Sequence, residues 1–238
     1  DPLTTTWLRG GEGFVGFGKW RSTTVKGANR FSDARNWWRE QLHDLKIVND
    51  VHGTGTGPIL FASFSFDSEE ESHLIIPRVI IGNKGDKSWI TWIGNQPEVL
   101  ETKEKNDPVK VTLGQGAISD EQWKDRIAKA IEHIKAGDLE KVVLARDKVG
   151  TSTNEIPVVK IIKNLIENYP STWTFFVSNM VGATPELLVR LSKSLVTSRV
   201  LAGTIKKTGD DSKDLALAAS LAKSSKDLEE HEYAVRSV

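Results

Sequence analysis

The 238 residues carry 32 basic and 32 acidic side chains, so no global field draws in nucleic acid or an anionic membrane surface, and an anionic ligand has to be held locally. At 38% hydrophobic and 27% charged, the composition is that of an ordinary globular chain able to bury a sizeable core, with no apolar run of about eighteen residues that would span a bilayer. Cysteine is absent, which excludes disulfides, thiol catalysis and Cys-ligated zinc, and fits a cytoplasmic setting. No secretory signal is expected. Asp1 is not an initiator methionine and Val238 falls inside a segment that reads as a helix, so a fragment of a longer chain is expected.

From Trp7 to Trp20 aromatic and glycine residues are interleaved. Gly11-Glu-Gly-Phe-Val-Gly16 matches the dinucleotide pattern G-x-G-x-x-G, but Thr23, Thr24 and Val25 follow where that motif needs a helix facing pyrophosphate, so it is rejected. A helix is predicted from Phe31 to about Val48, with Ser32 or Asp33 as its cap. Gly53-Thr-Gly-Thr-Gly57 lacks the lysine of a phosphate loop and reads as a flexible connection. Strands are predicted over Pro58–Phe66, Leu74–Ile81 and Ser88–Ile93, the last two flanking the turn-prone Asn83-Lys-Gly-Asp86.

Between Gly94 and Ile118 lies a polar stretch with Pro97, Pro108 and the charged run Glu101 to Lys105. It is either a subdomain boundary or an ordinary surface loop. An N-terminal sheet-rich region, 1–112, is expected to be followed by a second region, 113–238. Ser119-Asp-Glu-Gln122 is a capping box, with Ile118 and Trp123 placed as a hydrophobic staple, and Gly137 stops the helix it opens. Leu139–Arg146 is apolar and β-branched, predicting a largely buried strand. Pro157 suits the first position of a helix with an apolar stripe of Val158, Ile161, Ile162, Leu165 and Ile166, ended by Pro170. Strands are predicted at Trp173–Val177, Leu187–Leu191 and Leu195–Val200, the last two joined by a turn at Ser192-Lys193, and a helix at Asp214–Lys223. No internal repeat is present. Hairpin-joined strands with helices between groups of strands predict an α+β fold of mostly antiparallel sheets with packed helices.

Four constellations could carry chemistry. Lys141 opens the apolar segment Lys141-Val-Val-Leu-Ala-Arg146, where an ammonium either snorkels to water as a structural residue or is partnered inside, the setting of a general base. Glu186 follows Pro185 at the edge of the apolar run Leu187-Leu-Val, either as a solvated loop residue or as a general acid. In Ser225-Lys-Asp-Leu-Glu-Glu-His231, Asp227 and His231 share a helical face with Glu230 beside them. That segment is either an acidic first turn complementing the helix dipole or a source of carboxylate for a hard cation, and His231 reads as structural. Val200-Leu-Ala-Gly-Thr204 is either a plain strand exit or a bare N–H and a hydroxyl that bind a carboxylate. Lys206 and Lys207 nearby are expected to be solvated.

The four together, in this order and spacing, resemble the chorismate-binding enzymes, which include isochorismate synthases, salicylate synthases, anthranilate synthase large subunits and aminodeoxychorismate synthases. Lys-Val-Val-Leu-Ala-Arg, Gly-Ala-Thr-Pro-Glu-Leu-Leu-Val, Leu-Ala-Gly-Thr and Ser-Lys-Asp-x-x-Glu-His carry the resemblance from about Ser119 to Val238. Phe61-Ala-Ser-Phe-Ser-Phe-Asp67 and Ile75-Ile-Pro77 extend it more loosely to the amino-terminal sheet of menaquinone-type isochorismate synthases. The resemblance implies that Lys141 activates water for attack on the chorismate ring, that Glu186 protonates the departing ring hydroxyl, and that Glu230 is a Mg²⁺ ligand. It places Ala202, Gly203 and Thr204 against a substrate carboxylate. Ala202 stands where many aminodeoxychorismate synthases carry a lysine nucleophile, and the Lys141–Glu186 pair favours water over ammonia. Isochorismate synthase therefore leads, with salicylate synthase and anthranilate synthase behind it and a non-catalytic chorismate-binding relative as a rival. Chorismate and Mg²⁺ are the expected ligands, and no nucleic acid, membrane or obligatory protein partner is expected. The family continues past the motifs present here, so the chain is expected to be about the first half of such an enzyme.

Overall fold

A computed structural model describes residues 2–98 and 109–236. In chain order its elements are β1 (Leu3–Arg9), β2 (Glu12–Val25), α1 (Arg30–His43), β3 (Phe61–Ser63), β4 (Ser72–Lys84), β5 (Lys87–Trp92), β6 (Val111–Gln115), α2 (Asp120–Ala136), β7 (Lys148–Ser152), α3 (Val158–Asn168), β8 (Trp173–Val177), β9 (Met180–Thr184), β10 (Leu187–Ser192), β11 (Leu195–Arg199), α4 (Asp211–Lys223) and α5 (Ser225–Arg236). Every strand pairing among the described residues is antiparallel, in line with the α+β expectation. The chain forms two compact units, one from residues 1–103 and 158–186, the other from 104–157 and 187–238.

The first unit is a seven-stranded sheet ordered β3-β4-β2-β1-β8-β9, with β5 also on β4. The glycine-rich run is a hairpin: Gly10 and Gly11 turn between β1 and β2 at φ +57° and +81°, and the rejected dinucleotide pattern lies along β2. A Cβ on Gly16 would stand 2.2 Å from Thr5 Oγ1 and 2.5 Å from Pro77 Cγ, so glycine there lets three strands close up. Pro77 has no N–H for the ladder, and the register shift opposite it, between Lys19 and Arg21, makes Trp20 a bulge. Leu74, Ile76 and Ile80 of β4 are essentially inaccessible to water, each contributing about 1.5–3 kcal/mol on burial. Ile162 of α3 is buried where that helix packs on β8 and β9.

Several boundaries differ from those predicted. Helix α1 begins at Arg30 and ends at His43; Asn29 precedes it with no side-chain cap, and the Ser32 hydroxyl donates back to the Asn29 carbonyl. Of Pro58–Phe66 only Phe61–Ser63 is strand, because only those residues meet a partner on β4. Strand β9 was not anticipated, since its turn uses Ser178 and Asn179 at φ +50° and +69° in place of glycine.

In the second unit the capping box is formed: the Gln122 N–H donates to Ser119 Oγ at 3.2 Å, and the Ser119 N–H donates to Gln122 Oε1 at 2.9 Å. Gly137 ends α2 in the left-handed region at φ +82°. Helix α4 starts three residues before the predicted Asp214, where the Asp210 carboxylate caps the Lys213 N–H. The β10–β11 turn is centred on Lys193 and Ser194, one residue later than predicted. Strands β6 and β7 pair with each other, and β6 lies inside the stretch read as polar connection. The run Glu101 to Lys105 and Pro108 lie outside the described residues.

The predicted buried strand Leu139–Arg146 is not formed. Residues 141–147 are irregular and Val143 is 82% exposed. An apolar, β-branched segment becomes a strand only beside another that offers N–H and C=O groups, and no described strand pairs with this one.

Candidate functional site

Lys141 is the half-buried first residue of the irregular segment after α2, and its Nζ donates to the backbone carbonyl of Glu230 in α5 at 3.5 Å, the long limit of a hydrogen bond. At the other end of the segment Arg146 donates to the Asp120 carboxylate in the first turn of α2, joined by Lys148 Nζ at 3.2 Å. Hydrogen bonds from Lys148 and then Arg146, with their charge, hold the Asp120 carboxyl below the usual carboxylate range. The segment is therefore strung between α5 and α2 by its two cationic ends.

Residues 200–210 connect β11 to α4 and bring Gly203 onto α5. Gly203 has φ +78°, and a Cβ there would stand 3.0 Å from both the Cβ and an Oδ of Asp227, so a side chain at 203 would be strained by its backbone and would crowd Asp227. The far end of the loop is clamped by Asp214, whose carboxylate accepts from the Thr208 N–H at 2.7 Å, the Thr208 hydroxyl at 2.8 Å and the Gly209 N–H at 3.3 Å. These bonds, the Thr208 N–H foremost, lower the Asp214 carboxyl from its ordinary range. Ala202 is half-buried beside Gly203, Thr204 is exposed, and Lys206 and Lys207 are solvated as expected.

Helix α5 starts where the Asp227 N–H donates to Ser224 Oγ at 3.3 Å. Glu230 is half-buried and its carboxylate lies 3.4 Å from Lys226 Nζ, one turn earlier. His231 is exposed. Among the described residues no group of three or more His, Cys, Asp or Glu side chains converges. Mg²⁺ needs only one or two protein carboxylates, with water and substrate oxygens completing its shell, and Glu230, the carboxylate expected to be its ligand, is paired with Lys226.

Glu186 closes the first unit, between β9 and β10. Its N–H donates to Thr184 Oγ1 at 3.2 Å, a turn imposed by Pro185, and its side chain is exposed, not at the edge of a core. The apolar residues that were to form that core, Leu188 and Val189, are themselves exposed. Sequence reading missed two contributors within the second unit: Asp227 as the surface on which Gly203 rests, and Asp214 as the clamp on the same loop. The spacing of Thr208 to Asp214, a hydroxyl six residues before a helical carboxylate, was the available signal for the second. A groove of about 370 Å³ in the first unit, walled by Ile47, Val48, Trp89 and Trp92, contains none of the predicted site residues.

The family described as chorismate binding enzyme matches residues 9–238, almost the whole chain. This chain belongs to the chorismate-binding enzymes. Among the curated members of the family, isochorismate synthase MenF of Bacillus subtilis is 25% identical over 93% of this chain and 55% of its own length. Isochorismate synthase DhbC of the same organism is 26% identical over 73% of this chain and 44% of its own. Anthranilate synthase component 1 of Cereibacter sphaeroides is 36% identical over a shorter stretch, 47% of this chain and 23% of its own. The crystal structure of DhbC from Bacillus anthracis superposes with a TM-score of 0.70 at 23% identity, covering 97% of this chain and 57% of the other, and shows the same fold. The chain spans about half the length of the curated relatives it matches.

Proposed function

We propose that this chain is the first part of a Mg²⁺-dependent isochorismate synthase, an isomerase that moves a ring hydroxyl of chorismate by adding water at one carbon and losing water from another. In this reading residues 1–112 are the N-terminal sheet-rich region, whose sheet also takes in β8 and β9 from further along the chain, and 113–238 the first part of the chorismate-binding region. The observation that supports the reading is the meeting of Lys141 Nζ with the backbone carbonyl of Glu230, 89 residues away in sequence, two residues to which the reading gives the roles of base and metal carboxylate.

In this reading Lys141 takes a proton from water as the water oxygen bonds to the ring. Glu186 gives a proton to the departing hydroxyl, which leaves as water. Both groups then exchange their protons with solvent, so atoms and charge balance over the cycle. In this reading Gly203 offers a backbone N–H and Thr204 a hydroxyl to a substrate carboxylate, with the small Ala202 beside them. Mg²⁺, held by Glu230, would neutralise a carboxylate of the substrate dianion when bound, which this net-neutral chain needs locally. The longer isochorismate synthase relatives support this branch. The anthranilate synthase match keeps amination as the second reading, disfavoured by the Lys141 and Glu186 pair, which suits a water nucleophile.

The test is conversion of chorismate with Mg²⁺, with and without ammonium, by this chain and by a form extended to the relatives' full length, products being separated by chromatography with mass detection. An isomer of chorismate is expected. Salicylate or an aminated product would reassign the branch, and Mg²⁺-dependent binding without turnover by the extended form would make the protein a binding relative. Lys141→Ala and Glu186→Gln are expected each to abolish conversion and leave substrate binding intact, while Glu230→Gln weakens Mg²⁺ binding in a calorimetric titration.

A further inference from the structure

Asp214 stands in the first turn of α4, yet its side chain does not cap that helix. The cap is Asp210, whose carboxylate accepts from the Lys213 N–H at 3.1 Å, while the Asp214 carboxylate is turned back on the connection that precedes the helix. One Asp214 oxygen accepts from both the N–H and the hydroxyl of Thr208, at 2.7 and 2.8 Å, and the other from the Gly209 N–H at 3.3 Å. The Thr208 hydroxyl is used twice, since it also accepts from the Asp210 N–H at 3.3 Å, and Gly209 takes φ +84°, where a side chain would be strained. A charged acceptor makes such bonds stronger than neutral ones, so residues 208–209 are a firm anchor for the loop. Toward the other end, Gly203 lies against Asp227 of α5. Only Thr204, Ile205, Lys206 and Lys207 separate the two anchors, and these four make no hydrogen bond to other described residues. At about 3.5 Å per residue so short a span has little slack, and where Thr204 sits follows from where Thr208 is held.

We propose that Asp214 is a positioning residue for substrate binding: by fixing Thr208 and Gly209 it holds Gly203 and Thr204 where they receive a carboxylate. The inference rests on the reading above, in which those two residues meet a carboxylate of the substrate. In this role Asp214 touches neither the substrate nor the reacting atoms. Its removal frees the loop from residue 204 onward and lowers the share of molecules in which Thr204 is in place before substrate arrives. Affinity falls by that share, so a loop in place about one-tenth of the time binds about tenfold more weakly. Once the substrate is bound the loop is in place, and the chemical step proceeds as before.

The test is made on the protein at its natural length, by calorimetric titration with chorismate in the presence of Mg²⁺, steady-state turnover, and hydrogen exchange read peptide by peptide. Asp214→Ala is expected to weaken chorismate binding about tenfold, and to raise KM by the same factor with kcat within about twofold of the unaltered protein. Exchange across 200–209 is expected to quicken while that of α4 stays as it was, because Asp210 still caps the helix. Thr208→Val is expected to do the same, and Thr208→Ser, which keeps the hydroxyl, to behave as the unaltered protein. Should Asp214→Ala unfold α4, the two Thr208 variants decide alone. Thr204→Val is expected to weaken binding by itself, and with it in place Asp214→Ala is expected to add less than it does alone, since both act on one contact. Binding unchanged in Asp214→Ala and Thr208→Val, weaker binding with exchange of 200–209 unchanged, an equal loss in Thr208→Ser, or fully multiplicative effects of Asp214→Ala and Thr204→Val would each overturn the inference and leave the isochorismate reading standing. No chorismate binding by the unaltered protein, or none lost in Thr204→Val, would overturn the assignment of the carboxylate to this loop, and this inference with it.

Discussion

The two units contain similar apolar material and use it differently. In the first, β4 runs between β2 on one side and β3 and β5 on the other, and every buried apolar side chain of the described chain belongs to that unit. In the second, β10 is a run of leucine and valine that remains in water. The difference lies in neighbours. A strand buries its side chains when other strands and helices occupy both flanks, and a hairpin alone supplies one flank. What organises the second unit is accordingly local and polar: the capping box of α2, the Asp210 cap of α4, the Asp214 clamp, and the cationic tethers of Lys141 and Arg146.

Substitutions in the two units should differ in cost accordingly. The largest effect is expected for Ile76→Ala in β4, a loss of about 2–5 kcal/mol in denaturant unfolding of the first unit; a loss no greater than for an exposed position would contradict its place in the core. Next comes Gly203→Ala, which puts a side chain at φ +78° against Asp227 and is expected to cost about 1–3 kcal/mol, visible as lost protection around 200–210 in hydrogen exchange. Ser119→Ala removes half of the capping box, with an expected cost of about 0.5–2 kcal/mol read from exchange of the α2 amides; unchanged exchange would mean the cap is dispensable.

Smaller still is the acid response of α2. The folded-state Asp120 carboxyl titrates below its unfolded value, so its contribution is complete above the ordinary carboxylate range and is lost as pH falls through the lowered folded value. An NMR titration is expected to find the Asp120 carboxyl below its usual range, and Lys148→Met to move it back up. The smallest effect is that of Leu188→Ala, within about 0.5 kcal/mol for the 238-residue chain, because its side chain is already 83% exposed; a loss of core size would show that the second unit buries it.

How much could be read without coordinates varied with the range of the interaction. The helix start at Ser119, its stop at Gly137, the strand Trp173–Val177 and the α+β class were legible, since a cap, a left-handed glycine and a short aromatic strand each declare themselves within a few residues. So were the motifs of the family, because side-chain chemistry is written directly in the residues. Less legible were Gly16 of β2, which answers to Thr5 and Pro77 on neighbouring strands, and the Trp20 bulge, which answers to a proline 57 residues later. Within the site, the motifs identified Lys141, Gly203 and Glu230 as a set, but not that Lys141 reaches the carbonyl of Glu230 or that Gly203 rests on Asp227.

Leu139–Arg146 marks the boundary between the two kinds of information. Its composition specifies a residue set suited to a buried strand, and Ser119 and Gly137 specify the helix before it, because those preferences are properties of the local chain. Whether the segment pairs, and whether β10 is core or surface, depends on which backbone lies alongside. That is settled by contacts between residues far apart in sequence, for which hydrophobic patterning carries no address.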